Sequence, residues 1–283
     1  MVTLAQITNA PPPAAPAVSL PRSATSPVDD SDRWASHGIT YTPEVTLDAG
    51  LEGTCGPASG SYAADMPGVV EWTPYAVEVY DTCSAMRGRD YAGRARRLLD
   101  ASTPRAVEAE FWGGAYAQAN SLPNLYLTMS TATVINPTPG TAVSFARGVA
   151  LLEQGLGDLG VQGMIHCRRE AVTNAANLLR REGNLIRTMV DTIVVPGMGY
   201  SGLGPDGDAN ETPTAGQTWM YATGVVEYRQ TPADLPAWTS EGDTPPSEVI
   251  NRDTNEVKVH AWRSALASWD GYAHLAVLIT LPT

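Results

Sequence analysis

The stretch Thr192-Ile193-Val194-Val195-Pro196-Gly197-Met198-Gly199-Tyr200-Ser201-Gly202 decides how this chain is read. Its first four residues are all β-branched and end at a proline, the pattern of a short buried strand. Gly197, Gly199 and Gly202 then repeat the G-x-G-x-x-G spacing of dinucleotide-binding loops. That spacing carries chemistry only where the third glycine opens a helix whose N-terminal amides hold a pyrophosphate. Here Leu203-Gly204-Pro205-Asp206-Gly207-Asp208 follows, a run that starts no helix and sets carboxylates where phosphates would lie. The next patterned segment, Thr218 to Tyr228 (TWMYATGVVEY), is rich in strand formers. Strand, long Gly/Asp loop and strand make an excursion from a sheet, not a nucleotide cradle.

Length and composition bound the rest. The 283 residues, 43% of them hydrophobic, can bury a sizeable core in one large domain or two small ones. A formal charge of −12 speaks against a general nucleic-acid binder, which needs a basic surface to neutralise phosphate. No run approaches the roughly 18 apolar residues of a membrane span, so no membrane partner is expected. The opening MVTLAQITNAPPPAAPAVSLP has neither a basic start nor a continuous apolar stretch, so no secretory leader is expected. Cys55, Cys83 and Cys167 are odd in number and far apart, which predicts a reduced, cytoplasmic history. The 7 Trp and 11 Tyr against 2 Phe leave two readings open. They serve protein–protein contacts, or they fill a core with their polar tips at its edge.

Residues 1–45 carry no helical or strand period: Pro11, Pro12, Pro13, Pro16 and Pro21 give way to the polar run Ser26–Asp32. Such a segment builds no core of its own, so its order is expected to come from neighbouring subunits. Residues 46–74 are dense in turn formers before Val69-Val70-Glu71-Trp72, as in a long hairpin. Tyr75–Tyr80 reads as a strand and Asp90–Leu99 as a helix. Ser102-Thr103-Pro104 reads as a new helix start that ends at Gly113-Gly114. Leu125–Ile135 alternates as a strand. Ser144–Leu159 places Phe145, Val149, Leu152, Leu156 and Leu159 at helical spacing. Met164–Cys167 is then a short strand, Glu170–Arg181 a second helix, Val249–Ala267 a further patterned segment and His274–Leu281 a closing strand. The class is α+β.

Candidate chemistry is sparse. His37, His166, His260 and His274 stand singly, without paired Cys/His spacing. His166 beside Cys167 would need a third partner to form a nucleophilic dyad, and neighbouring strand residues face opposite sides of a sheet. Asp206, Asp208 and Asn210 mimic the start of an EF-hand loop, but Glu211 stands where glycine is needed and Gln217 where the bidentate glutamate belongs. The arginine-rich stretch Arg87–Arg105 reads as a solvated face or as a partner for acidic patches on adjacent subunits. No catalytic, cofactor-binding or metal-binding residue is therefore expected, and no cofactor.

The order of parts resembles the major capsid proteins of tailed bacteriophages with the Hong Kong 97 type fold, shared with encapsulins. The segments that carry the resemblance are the turn-rich residues 46–80, the helical residues 90–113, and the helix–strand–helix–strand unit at 143–227. The ending NEVKVHAWRSALASWDGYAHLAVLITLP (Asn255–Pro282) is similar to the family's closing pair of strands. The resemblance implies five parts: an extended N-terminal arm (1–45), an E-loop-like hairpin (46–80), the spine helix with the first part of the peripheral domain (81–142), an axial domain (143–227), and a peripheral return (228–283). It also implies an apical loop, Pro196–Gly216, near a capsomer axis. The implied function is that of a capsid shell subunit, not an enzyme, which self-assembles into pentamers and hexamers of an icosahedral head. That head would form in the bacterial cytoplasm and enclose DNA without gripping it. Scaffold, portal or decoration proteins are further candidate partners. The alternatives are another virion structural protein (head–tail connector, minor capsid or tail protein) or a cytoplasmic nucleotide-using enzyme. Lysine–asparagine crosslinking, known in some members, is not expected, because Lys258 is the only lysine and lies outside the hairpin.

Overall fold

The computed structural model describes residues 14–27, 32–42, 69–84, 91–173, 175–235, 250–251 and 256–282. In chain order these form α1 (Leu20–Ser23), α2 (Trp34–His37), β1 (Ile39–Tyr41), β2 (Val70–Trp72), β3 (Tyr75–Ser84), α3 (Tyr91–Gly113), α4 (Ala115–Ala119), β4 (Thr133–Val134), β5 (Val143–Ser144) and α5 (Phe145–Asp158). There follow β6 (Met164–Arg168), α6 (Arg169–Thr173), β7 (Arg180–Glu182), β8 (Leu185–Arg187), β9 (Ile193–Gly197), β10 (Gln217–Thr223), β11 (Glu227–Gln230), β12 (Ile250–Asn251), β13 (Glu256–Ser268) and β14 (His274–Thr280). Most of the expected hairpin, residues 46–68 of 46–80, lies outside the described residues.

The larger sheet has eight strands in the order β4-β14-β10-β6-β9-β8-β7, with β5 also on β14. Its centre is mixed: β10 runs antiparallel to β14 and β6, and β6 runs parallel to β9. Both faces are covered, which is why its strands read as continuous apolar runs and hide the alternation that one-sided burial would produce. Met164, Val195, Trp219, Tyr221, Ala276 and Leu278 belong to one core cluster, together with Val107, Phe111 and Trp112 of α3. Their strand neighbours Ile165, Cys167, Val194, Met220, Ala222, Leu275 and Val277 belong to the other, with Phe145, Leu152 and Leu156 of α5. Ser144 caps α5 by accepting from the Arg147 amide at 3.3 Å. Two glycines one heptad apart let α5 settle onto β14: a Cβ on Gly148 would meet Ile279 at 2.5 Å, and one on Gly155 would meet Leu275 at 2.6 Å.

The second sheet is built on β13, with β3 along one side and β11 and β12 along the other. Against it lies α3, whose Ala95, Leu99, Val107 and Phe111 are buried at multiples of four residues. The expected break between Leu99 and Ser102 does not occur: α3 is one helix of 23 residues with Pro104 inside it. Proline removes one helical amide, and the hydroxyls of Ser102 and Thr103 turn back to the Leu99 carbonyl at 3.3 and 2.6 Å. Packing on both sides of the proline holds the helix through it.

Three further expectations need correction. Leu125–Ile135 is strand only at Thr133–Val134. Before that, the amides of Leu127 and Thr128 donate to the Phe111 and Trp112 carbonyls, both at 3.0 Å, so the segment closes the end of α3. Glu170–Arg181 is not one helix either. After α6 comes a 3-10 turn at Ala176–Leu178, and Arg180–Glu182 then pairs with Leu185–Arg187. Tertiary pairing overrides a helical pattern here. Thr218–Tyr228 splits into β10 and β11, which join different sheets.

The described part of residues 1–45 also departs from its reading as a segment without a core role. Leu20 and Trp34 are buried, β1 pairs with β2, and Thr25 exchanges backbone hydrogen bonds with Val226 and Tyr228 at 2.9 and 3.0 Å. Single apolar residues far apart in sequence leave no periodic signal.

Candidate functional site

The glycine loop, α3 and the N-terminal segment meet at Glu108. This glutamate is buried on α3, and its carboxylate accepts backbone amides from Leu20 (2.9 Å), Met198 (2.6 Å) and Gly199 (3.1 Å). Burial raises its pKa above the ordinary carboxylate range, while those three amides and nearby Arg169 pull it back down. One buried side chain thus satisfies donors from two segments about 180 residues apart in the chain.

The glycines serve this closure. A Cβ on Gly199 would run into the Arg105 carbonyl and meet the Ala109 amide at 2.5 Å, so the loop backbone lies directly on the α3 backbone. Gly202 has φ +83, and a side chain there would collide with Thr218 and meet Arg168 at 2.5 Å. The space a pyrophosphate would need is filled by helix. Trp112 Nε1 and Tyr221 Oη both donate to the Leu203 carbonyl, at 3.2 and 3.1 Å, and Trp219 Nε1 donates to that of Asn210 at 2.8 Å. The loop packs against the C-terminal half of α3 and the Tyr126–Thr128 turn.

Its acidic residues are engaged locally. Asp206 accepts from the Tyr126 hydroxyl at 3.1 Å, and burial with this acidic neighbour pushes the phenol up to about 12. Asp208 accepts from the Asn210 amide at 2.7 Å, an Asx-type turn. Among the described residues no group of three or more His, Cys, Asp or Glu is arranged to hold a metal ion.

His166 and Cys167 point to opposite faces of the eight-stranded sheet. His166 stands against Phe111 and Tyr200, whereas Cys167 is buried in the cluster under α5. The Thr223 hydroxyl donates to the Gly224 carbonyl at 2.9 Å, which leaves its oxygen to accept from His166 Nε2–H at 2.9 Å. His166 Nδ1 is then the acceptor for the Tyr200 hydroxyl at 3.0 Å. Burial, with a smaller repulsion from His274, lowers the His166 pKa to about 3, and burial pushes the Cys167 thiol up to about 12. Both ring nitrogens are spent and the thiol holds its proton, so this pair has neither a free base nor a nucleophile.

Arg94, Arg96, Arg97 and Arg105 lie on the exposed side of α3, and Lys258 lies in β13 opposite Thr82. Of the partners that the sequence left unseen, Glu108 and Tyr200 are the most consequential. A glutamate three and four residues before Phe111 and Trp112 was the available signal, since a charge on an apolar helix face calls for partners.

No protein-family model matches the chain, and no curated protein matches it. Solved structures do. A chain of Microbacterium phage Oxtober96 is similar over 99% of this chain and 96% of its own length, with a TM-score of 0.50 and 12% identity. The capsid of an empty GTA particle is similar over 100% and 96%, with a TM-score of 0.50 and 13% identity. At such identities the likeness is one of fold. That fold, with α3 against both larger sheets and α5 on the opposite face of the eight-stranded one, is the Hong Kong 97 type capsid fold.

Proposed function

We propose that this chain is the structural subunit of a bacteriophage capsid shell, self-assembling through pentamers and hexamers into an icosahedral head that encloses DNA. The observation that carries the reading is the extent of the fold match, which spans 100% of this chain and 96% of the capsid chain of the GTA particle. The interior chemistry agrees with a structural role. The polar groups drawn together at Glu108, His166 and Tyr200 are consumed in tying elements to one another. In this reading residues 1–45 act as arm, 46–80 as hairpin over a neighbour, 81–142 as spine helix with the first part of the peripheral domain, 143–227 as axial domain and 228–283 as peripheral return. The exposed arginines of α3 pair with acidic surface on adjacent subunits. Sedimentation velocity of the purified full-length chain tests the reading. Closed shells are expected; a small ring or tube favours a connector or tail protein, and a discrete small oligomer refutes the shell.

A further inference from the structure

We propose that the face formed by α5 and the loop Thr188–Thr192 is a contact surface for a second copy of this chain. The inference rests on the shell reading and adds to it the particular surface.

The loop is held by an excess of polar contacts. The Glu153 carboxylate on α5 accepts from the hydroxyls of Thr188 (2.6 Å) and Thr192 (2.7 Å). The Thr188 amide donates to the Thr192 carbonyl at 2.9 Å, and the Thr192 amide donates to the Thr188 hydroxyl at 3.2 Å. Asp191 sits at φ +80, a conformation that costs free energy for a residue with a side chain. Its carboxylate is paired with Arg180, and its carbonyl accepts from Arg187 at 2.9 Å. So many bonds on five residues are unnecessary for a solvated turn.

What the bracing does is turn two apolar side chains outward. Met189 is 79% exposed and Val190 69%, the two most exposed large apolar residues among those described. They form one wall of an open groove of about 500 Å³, lined otherwise by Ala146, Val149 and Ala150 of α5 and the half-exposed Leu178, with Glu153 and Gln154 as its polar members on α5. A rigid apolar ridge beside an apolar groove is the arrangement that binds with little ordering cost.

Charge selects the occupant. Two copies of a chain with net charge −12 repel, so a self-contact needs a face with no net charge. The elements bounding this groove provide one. Residues 145–158 and 176–192 carry four arginines (Arg147, Arg180, Arg181, Arg187) against four carboxylates (Glu153, Asp158, Glu182, Asp191). Arg180 and Arg187 are paired with Asp191 and Glu182 within the chain, so the face brings no unbalanced charge to a meeting with a second copy.

The test uses full-length protein and the Met189→Asp/Val190→Asp double variant. Thermal denaturation of unassembled subunit checks the fold, and light scattering gives the lowest concentration at which particles form. That threshold is expected to rise by about tenfold or more, while Met189→Leu/Val190→Ile assembles as wild type. Should the charged variant fail to fold, Ala150→Gln, exposed on the opposite wall of the groove, is expected to raise the threshold in the same way. A folded charged variant that assembles at the wild-type threshold overturns the inference and leaves the shell reading standing. Wild-type protein that remains monomeric at every concentration overturns both.

Discussion

Glu108 shows how much of this structure hangs on single polar residues. Replacing it with alanine strips the acceptor from three amides, that of Leu20 buried and those of Met198 and Gly199 partly so, and a buried unsatisfied donor costs about 1–3 kcal/mol. Glu108→Ala should destabilise the unassembled subunit by about 2–5 kcal/mol in urea denaturation, with early proteolysis near Leu20 and Met198; an unchanged midpoint would show that the carboxylate is idle. His166 and His274 impose a pH dependence of definite sign. Burial lowers both pKa values below the usual 6.5, so the unfolded chain binds protons that the native chain refuses. Their contribution to stability is fully present above pH 6.5 and is lost as pH falls, for His166 by about 1.4 kcal/mol per pH unit towards about 3. Glu108 has the opposite sign: its raised pKa makes the native state less stable as pH rises through it, so it does not cause this acid loss. A stability profile flat from pH 7 to pH 5 would contradict the neutral-histidine assignment. The abundance of Trp and Tyr over Phe also has a cause at this scale. Trp72, Trp112, Trp219 and Tyr221 are buried bodies whose N–H or O–H reaches a loop carbonyl, a bond that phenylalanine cannot make.

Elements differ in how plainly the sequence announces them. Leu20→Ala illustrates one that it does not. The residue is fully buried against α3 although nothing around it repeats, and its truncation should cost about 2–5 kcal/mol. A loss below about 0.5 kcal/mol would return this segment to the role of a dispensable arm. The helix from Phe145 and the strands at Met164, Ile193 and His274 were legible, because each buries a regular run between two layers. The G-x-G-x-x-G loop was legible as something other than a cofactor cradle, since Pro205 and the aspartates deny it a helix. What replaced the cradle was not legible: the contact of Gly199 with the α3 backbone joins residues about 90 apart. Pro104 misled for a related reason. Proline predicts a helix start from local geometry alone, whereas Leu99, Val107 and Phe111 pack one continuous face on either side of it. The same long-range pairing turned Arg180–Glu182 from helix to strand.

At the scale of the molecule, the chain crosses between its two larger sheets three times, after β3, after β10 and after β13, and α3 lies against both. If the proposed shell encloses DNA, charge bears on how it holds it. A wall that gripped duplex DNA through many counterion-releasing contacts would oppose its movement during filling, and −12 per chain suits a container that does not grip. The isolated subunit should bind duplex DNA no better than a generic acidic protein at physiological salt. Micromolar or tighter binding in a fluorescence titration would overturn that and direct attention to Arg94, Arg96, Arg97 and Arg105. The most direct test of the whole account is cryo-electron microscopy of the full-length protein expressed alone and purified as assembled. The account predicts closed icosahedral particles whose wall is this chain, with α3 and the eight-stranded sheet traceable in each subunit. Particles of any other symmetry class, or only monomers and small oligomers at every concentration, would contradict it.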